Sequence, residues 1–225
     1  MNKTEYIKLT QELKDCVNQI PIEWVTVQNN TYDYKFKVFD IFTFAELEEK
    51  LRDFNQNEKD YYYHRWFIWA NAECDEYLFY SKDNVEKNSL YKGKGWDIKL
   101  FDDDDNKFDI KSTVIPKRNR YDAEYIINNP LNTIKFYYNR QSRGIRYAYQ
   151  NRLFIIHHSF LTPDNDLNIR LNFDFKDKVI KEYIEKFKNH KLFKIYDNDN
   201  DVFVNADTIF IIENLDHSLS YKFGS

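Results

Sequence analysis

Apolar side chains recur along the chain in short periodic segments, and their spacing assigns most of the elements. Over residues 4–18, Tyr6, Ile7, Leu9, Leu13 and Val17 fall near helical spacing, and Pro21 ends the helix this predicts. Residues 34–42 alternate as Tyr-Lys-Phe-Lys-Val-Phe-Asp-Ile-Phe, the period of a half-buried strand. Thr43 with Glu46 reads as a capping box opening a helix to about Phe54. Residues 61–80 are aromatic-rich, lack Gly and Pro, and predict a second helix carrying Glu73 and Glu76.

Gly93 and Gly95 then break the chain, and 96–101 and 107–115 read as two strands around an Asp-rich turn, a hairpin closed by Pro116. Asn129-Pro130 starts a helix running to about Tyr149, 152–157 is a short apolar strand, and Pro163 marks a loop. A helix over 176–189 places Val179, Ile180, Tyr183, Ile184 and Phe187 on one face. Strands follow at 192–196, 202–204 and 208–213. With no repeat or clear domain boundary, the expectation is one mixed α/β (α+β) domain over 1–225, with extensions at 1–60 and 160–225 around a core at about 61–159.

Composition narrows the function classes. Apolar residues make up 42% and aromatics 18%, enough large side chains to bury a core. The longest apolar runs fall far below the roughly 20 residues of a membrane helix, and Met1 leads into a polar stretch without signal-peptide character. Cys16 and Cys74 lie far apart and outside any Cys/His cluster, which argues against a disulfide framework or zinc ribbon and suits a reducing cytoplasm. Four glycines, at 93, 95, 144 and 224, are too few and wrongly placed for a P-loop or a dinucleotide fingerprint.

The formal net charge of -4 is unevenly spread. Residues 112–152 hold eight basic side chains against two acidic ones, a local excess of +6, with Tyr137, Tyr138, Tyr147 and Tyr149 interleaved. Cations that displace counterions and rings that stack on bases would suit a nucleic acid; a solvated amphipathic helix is the bland alternative.

The residues that point to chemistry are Asp97, in Gly95-Trp-Asp-Ile-Lys-Leu, and Asp109 and Lys111, in Phe108-Asp-Ile-Lys-Ser-Thr. Asp109 and Lys111, two apart, face one side of their strand. Asp97 joins them only if the hairpin pairs odd with odd positions, as an odd loop of three or five residues allows, and Asp97 then lies across from Lys111. Two converging carboxylates repel unless a cation sits between them, and their hard oxygens suit magnesium or manganese. The bare acid-x-Lys triplet occurs at least seven times, so the setting carries the argument: an Asp-bearing strand and an acid-bearing helix before it, a basic helix and an apolar strand after it.

That setting resembles the PD-(D/E)xK phosphodiesterase superfamily, the fold of many type II restriction endonucleases and repair nucleases. The resemblance covers about 61–159 and implies a restriction-endonuclease-like αβββαβ core with N- and C-terminal α/β additions. It matches Asp97 to the first motif acid, Asp109 to the second and Lys111 to the motif lysine, with Glu73, or failing that Glu76, as the helix acid. Two departures stand out: Trp96 rather than Pro precedes Asp97, and the second acid is Asp rather than Glu. The implied activity is metal-dependent DNA cleavage of a restriction or defence type, with Mg2+ or Mn2+ held by Asp97, Asp109, the Ile110 carbonyl and Glu73. A catalytically silent nucleic-acid- or protein-binding member of the fold and an RNA-cleaving relative are the rival readings.

Arg118 and Arg120, just past the strand of Lys111, are candidate phosphate contacts, as are Arg143, Arg146 and Gln150, which share one face of the following helix at spacings of three and seven. Cutting both strands of symmetric DNA makes a homodimer the natural assembly. The Asp102–Asp105 and 197–201 runs lack the glycine and terminal Glu of a calcium loop and read as solvated turns. His157 and His158 lack a nucleophile elbow, one expected to pack and the other to face solvent. Trp66, Trp69, Phe67 and Tyr77 read as core.

Overall fold

The computed structural model describes residues 1–20, 30–89, 95–115, 122–141, 150–198 and 201–225. The chain divides into two compact units, Met1–Tyr77 and Leu78–Ser225.

The first unit is helical among its described residues. α1 (Lys3–Cys16) starts at Asn2, whose side chain accepts from the Glu5 N–H while the Glu5 carboxylate accepts from the Asn2 N–H, and it buries Leu9, Leu13 and Cys16. α2 (Asn30–Lys35) is tied to α4 (Gln56–Tyr80) through Asp33, which accepts from Tyr61 at 2.8 Å and Arg65 at 3.2 Å. α3 (Phe44–Lys50) begins where Thr43 accepts from the Glu46 N–H, and stops at Lys50 rather than near Phe54. Trp66 is fully buried and Phe67 nearly so, as expected of core.

The strand predicted over 34–42 does not form. Its first two residues end α2, Phe39 and Asp40 form a turn with Asp40 at φ +64°, and the segment has no ladder partner among the described residues of this unit. Val38 and Ile41 are buried, and the Ile41 carbonyl accepts from the Trp66 indole at 2.7 Å. The alternation therefore encodes burial against α4, and a side chain answers the backbone where a neighbouring strand would.

The second unit is built on a seven-stranded mixed sheet, so the α/β class holds. β1 (Val85–Lys87), β2 (Ile98–Leu100) and β3 (Lys107–Val114) are antiparallel neighbours. The chain then passes through α5 (Ala123–Asn128) and α6 (Pro130–Gln141) to β4 (Arg152–Ser159), which lies parallel to β3. All eight residues of β4 are buried, as a strand with covered faces requires. β4 pairs in parallel with the twelve-residue β6 (Val202–Glu213). The other edge of β6 is shared by β5 (Phe193–Asp197) over its first part and β7 (Leu219–Phe223) over its second, both antiparallel. α7 (Leu167–Arg170) and α8 (Phe173–Lys186) lie between β4 and β5 in the chain, and α8 buries Val179, Ile180, Tyr183 and Ile184 along one face.

Ile134, Tyr137 and Tyr138 of α6 pack on Phe154 and Ile156 of β4 and on Phe210 of β6. Tyr137 and Tyr138 are thus core residues rather than base-stacking rings: Tyr137 stacks on Phe154 at 5.4 Å and Tyr138 meets its edge at 5.7 Å. His158 is buried together with His157, contrary to the expectation of one solvent-facing ring, because β4 has no open face. Asp197, expected in a solvated turn, is buried at the end of β5. The strands predicted at 202–204 and 208–213 are one. β1, β7 and α5 lie outside the predicted elements. No helix among the described residues is long and apolar enough to cross a membrane.

Candidate active site

The hairpin pairs Ile98 with Phe108 and Lys99 with Lys107, so odd positions face odd ones as the sequence requires. The loop is longer than three or five residues, since 100–106 lie between the paired lysines. This changes the alignment: continued one step, the register sets Asp97 beside Asp109, not across from Lys111. Gly95, at φ +115°, turns the chain into this position through a conformation that a side chain disfavours. The Asp97 N–H then donates to the Phe108 carbonyl at 2.8 Å.

Asp97 Oδ2 accepts from the Ile110 N–H at 2.7 Å, and its carboxyl lies within hydrogen-bonding reach of that of Asp109. Burial, then the neighbouring Asp109 charge, raises Asp97 to about 6, against the opposing pull of the Ile110 N–H and of Lys111. Asp109 Oδ1 is ion-paired with Lys111, its neighbour two residues on along the strand. Asp109 Oδ2 lies 3.3 Å from Nε of Arg152, the residue that faces it on β4. Three tips named from the sequence thus meet on one side of the ribbon, where β3 passes from its antiparallel to its parallel neighbour.

The donor set fits a hard divalent cation. Burial first, and then the neighbouring carboxylate, raises the proton affinity of Asp97, and a cation between the two acids would relieve their repulsion. Each carboxylate oxygen has two lone pairs, so one protein partner does not exhaust it. The N–H and C=O of a strand residue leave on the same edge, which puts the Ile110 carbonyl on the side where its N–H meets Asp97. Among the described residues, no group of three or more His, Cys, Asp or Glu side chains gathers, so the protein's side-chain donors here are two.

Glu73 and Glu76 lie half-buried on α4, in the first unit. Gln150 is not on a helix: it is half-buried just before β4, and its carbonyl accepts from the Tyr138 hydroxyl at 2.6 Å. Arg118, Arg120, Arg143 and Arg146, with Tyr147 and Tyr149, lie outside the described residues. Sequence reasoning missed Arg152 as part of the site and counted it only as basic charge. Its signal was an ionisable residue at the mouth of the run Leu-Phe-Ile-Ile, where a strand buried on both faces tolerates a cation only beside an anion. No family model, no curated protein and no solved structure matches this chain.

Proposed function

We propose that this protein is a magnesium- or manganese-dependent DNA endonuclease of the PD-(D/E)xK kind, acting in restriction or another defence against foreign DNA. The observation that carries this reading is the convergence of Asp97, Asp109 and Lys111 at one point of a β-ribbon. The element order supports it: helix α4, the antiparallel run β1–β2–β3, the α6 crossover and parallel β4 repeat the αβββαβ order of restriction-endonuclease-like cores. The excess of basic residues over 112–152 supports a polyanionic substrate.

Asp97, Asp109 and the Ile110 carbonyl would hold the ion, which supplies Lewis acidity and a water of lowered pKa. Lys111, the more exposed partner of Asp109, orients the attacking water and offsets charge on the phosphate as the new P–O bond forms and the leaving oxygen departs. Cutting both strands of a duplex asks for two such sites, which a homodimer provides.

Supercoiled plasmid incubated with the protein and Mg2+ is expected to give nicked and linear products, and Lys111→Ala to slow them by at least about 100-fold. Undiminished cleavage by that variant would remove the site assignment. Salt-sensitive binding without cleavage would mark a silent DNA-binding relative, and cleavage of RNA alone an RNA-directed enzyme.

A further inference from the structure

Two segments that lead into the site meet across it. Gly95 and Trp96 run into β2, Gln150 and Asn151 run into β4, and these two strands flank β3 on opposite sides. The Gln150 side chain still touches Gly95, where an added Cβ would lie 3.5 Å from Gln150 Nε2, an ordinary contact distance. Their contact therefore closes over β3. Phe108 and Ile110 are buried on one face of that strand, and Lys107, Asp109 and Lys111 alternate with them on the other. The Lys107 ammonium lies 5.4 Å from the centroid of the Trp96 ring, which sets the 95–96 segment on the face of Asp109 and Lys111.

Gln150 is held in this place by its backbone. Its carbonyl accepts from the Tyr138 hydroxyl at 2.6 Å, and the next carbonyl, that of Asn151, accepts from the Asp109 N–H at 3.0 Å. The residue is half-buried, yet among the described residues its carboxamide has no hydrogen-bond partner. A partly buried amide that adds nothing to the bonding of the fold calls for another reason. Its chemistry suits the position: it offers two N–H donors and no charge, so it can bind an anion without the ion pair that a lysine or arginine would form with Asp97 or Asp109.

We propose that Gln150 is a substrate contact inside the site, its carboxamide donating to a non-bridging oxygen of the phosphate that is cleaved. This rests on the reading of Asp97, Asp109 and Lys111 as a phosphodiesterase centre, whose ion must touch the same phosphate. Negative charge on those oxygens grows as water adds to phosphorus, so a fixed donor stabilises the transition state more than the bound substrate.

The test is steady-state cleavage of plasmid DNA by the full chain with Mg2+, for the unmodified protein, Gln150→Leu and the nearly isosteric Gln150→Glu, each checked by circular dichroism and thermal unfolding. Both substitutions are expected to lower kcat by about 100-fold and to change KM by less than about 3-fold, as when one donor to a developing oxyanion is removed. Because the carboxamide serves no bond of the fold, the thermal midpoint of Gln150→Leu should stay within about 2 °C of the unmodified protein. Gln150→Glu decides the matter if Gln150→Leu does not fold. An undiminished kcat in a folded variant overturns the proposal, and so does a rise in KM alone, which would place the amide on a flanking part of the substrate. A loss of kcat that tracks a lowered midpoint also overturns it, since the side chain would then be serving the fold. If the unmodified protein cleaves no nucleic acid, the nuclease reading falls and the proposal with it; loss of cleavage in Lys111→Ala but not in the Gln150 variants removes the proposal alone.

Discussion

The two ends of β4 each hold a buried carboxylate beside an arginine, and they treat it in opposite ways. At the entrance, Asp97 lies against Asp109 and is raised to about 6, chiefly by burial and then by its acidic neighbour. At the exit, burial alone would raise Asp166, but Arg170, 2.6 Å away, and His157 pull it down to about 2. Close by, Glu213 accepts from Ser159 at 2.6 Å and from Asn168 at 2.5 Å. At the exit Asp166 lies beside the opposite charge of Arg170 and Glu213 accepts two hydrogen bonds, whereas the entrance keeps two acids side by side. Burial of charge is common to both, so burial by itself does not mark a working site. A like-charged neighbour is what sets the entrance apart.

Breaking the exit has the larger expected effect. Asp166→Asn leaves the Arg170 guanidinium buried without its counter-charge and is expected to cost about 3–5 kcal/mol at pH 7, read by urea unfolding. Because Asp166 is depressed in the folded protein, its contribution is complete above the unfolded pKa near 4 and is lost as the pH falls towards 2. The gap between variant and unmodified protein should close over that window. A gap that persists at pH 2 would mean the loss came from packing.

The entrance should respond with the other sign. Asp97 is raised on folding, so the metal-free protein loses stability as the pH climbs from about 4 to 6 and carries the full penalty above that. Asp97→Asn, whose amide oxygen can still accept from the Ile110 N–H, is expected to gain about 2 kcal/mol at pH 7.5 in chelator and to abolish plasmid cleavage. A variant that is less stable in chelator would contradict the account of the carboxylate pair. Smallest of all, Gly95→Ala forces a side chain into the left-handed region and is expected to cost about 1 kcal/mol in thermal unfolding, with cleavage reduced through displacement of Asp97.

How much of this was legible in the sequence depends on the range of the interaction. The hairpin was readable because its strands are neighbours in the chain, but whether Asp97 shares a face with Asp109 hung on parity, which the sequence left as a condition and the register meets. Which residue stands opposite which was not, since a longer loop shifts the register by two without changing the parity. Arg152 belongs to a pairing between strands 43 positions apart in register, which no local pattern announces. Residues 34–42 fail in the converse way: alternation reports a buried side and an exposed side but is silent on whether another strand is near enough to pair. Tyr137 and Tyr138 read as possible base-stacking rings because basic residues flank them, yet their neighbours in space are Phe154 and the other β4 and β6 apolar residues.

Among the described residues, the outermost strands of the sheet are short on both sides. One is the three-residue β1, and the other is divided between β5 and β7, five residues each, laid end to end along β6. A foreign strand arriving along β1, β5 or β7 meets only three to five residues of backbone donors and acceptors, which disfavours edge-to-edge pairing there. In a protein rich in aromatic and β-branched residues, short strands at these margins work against copies joining one another there.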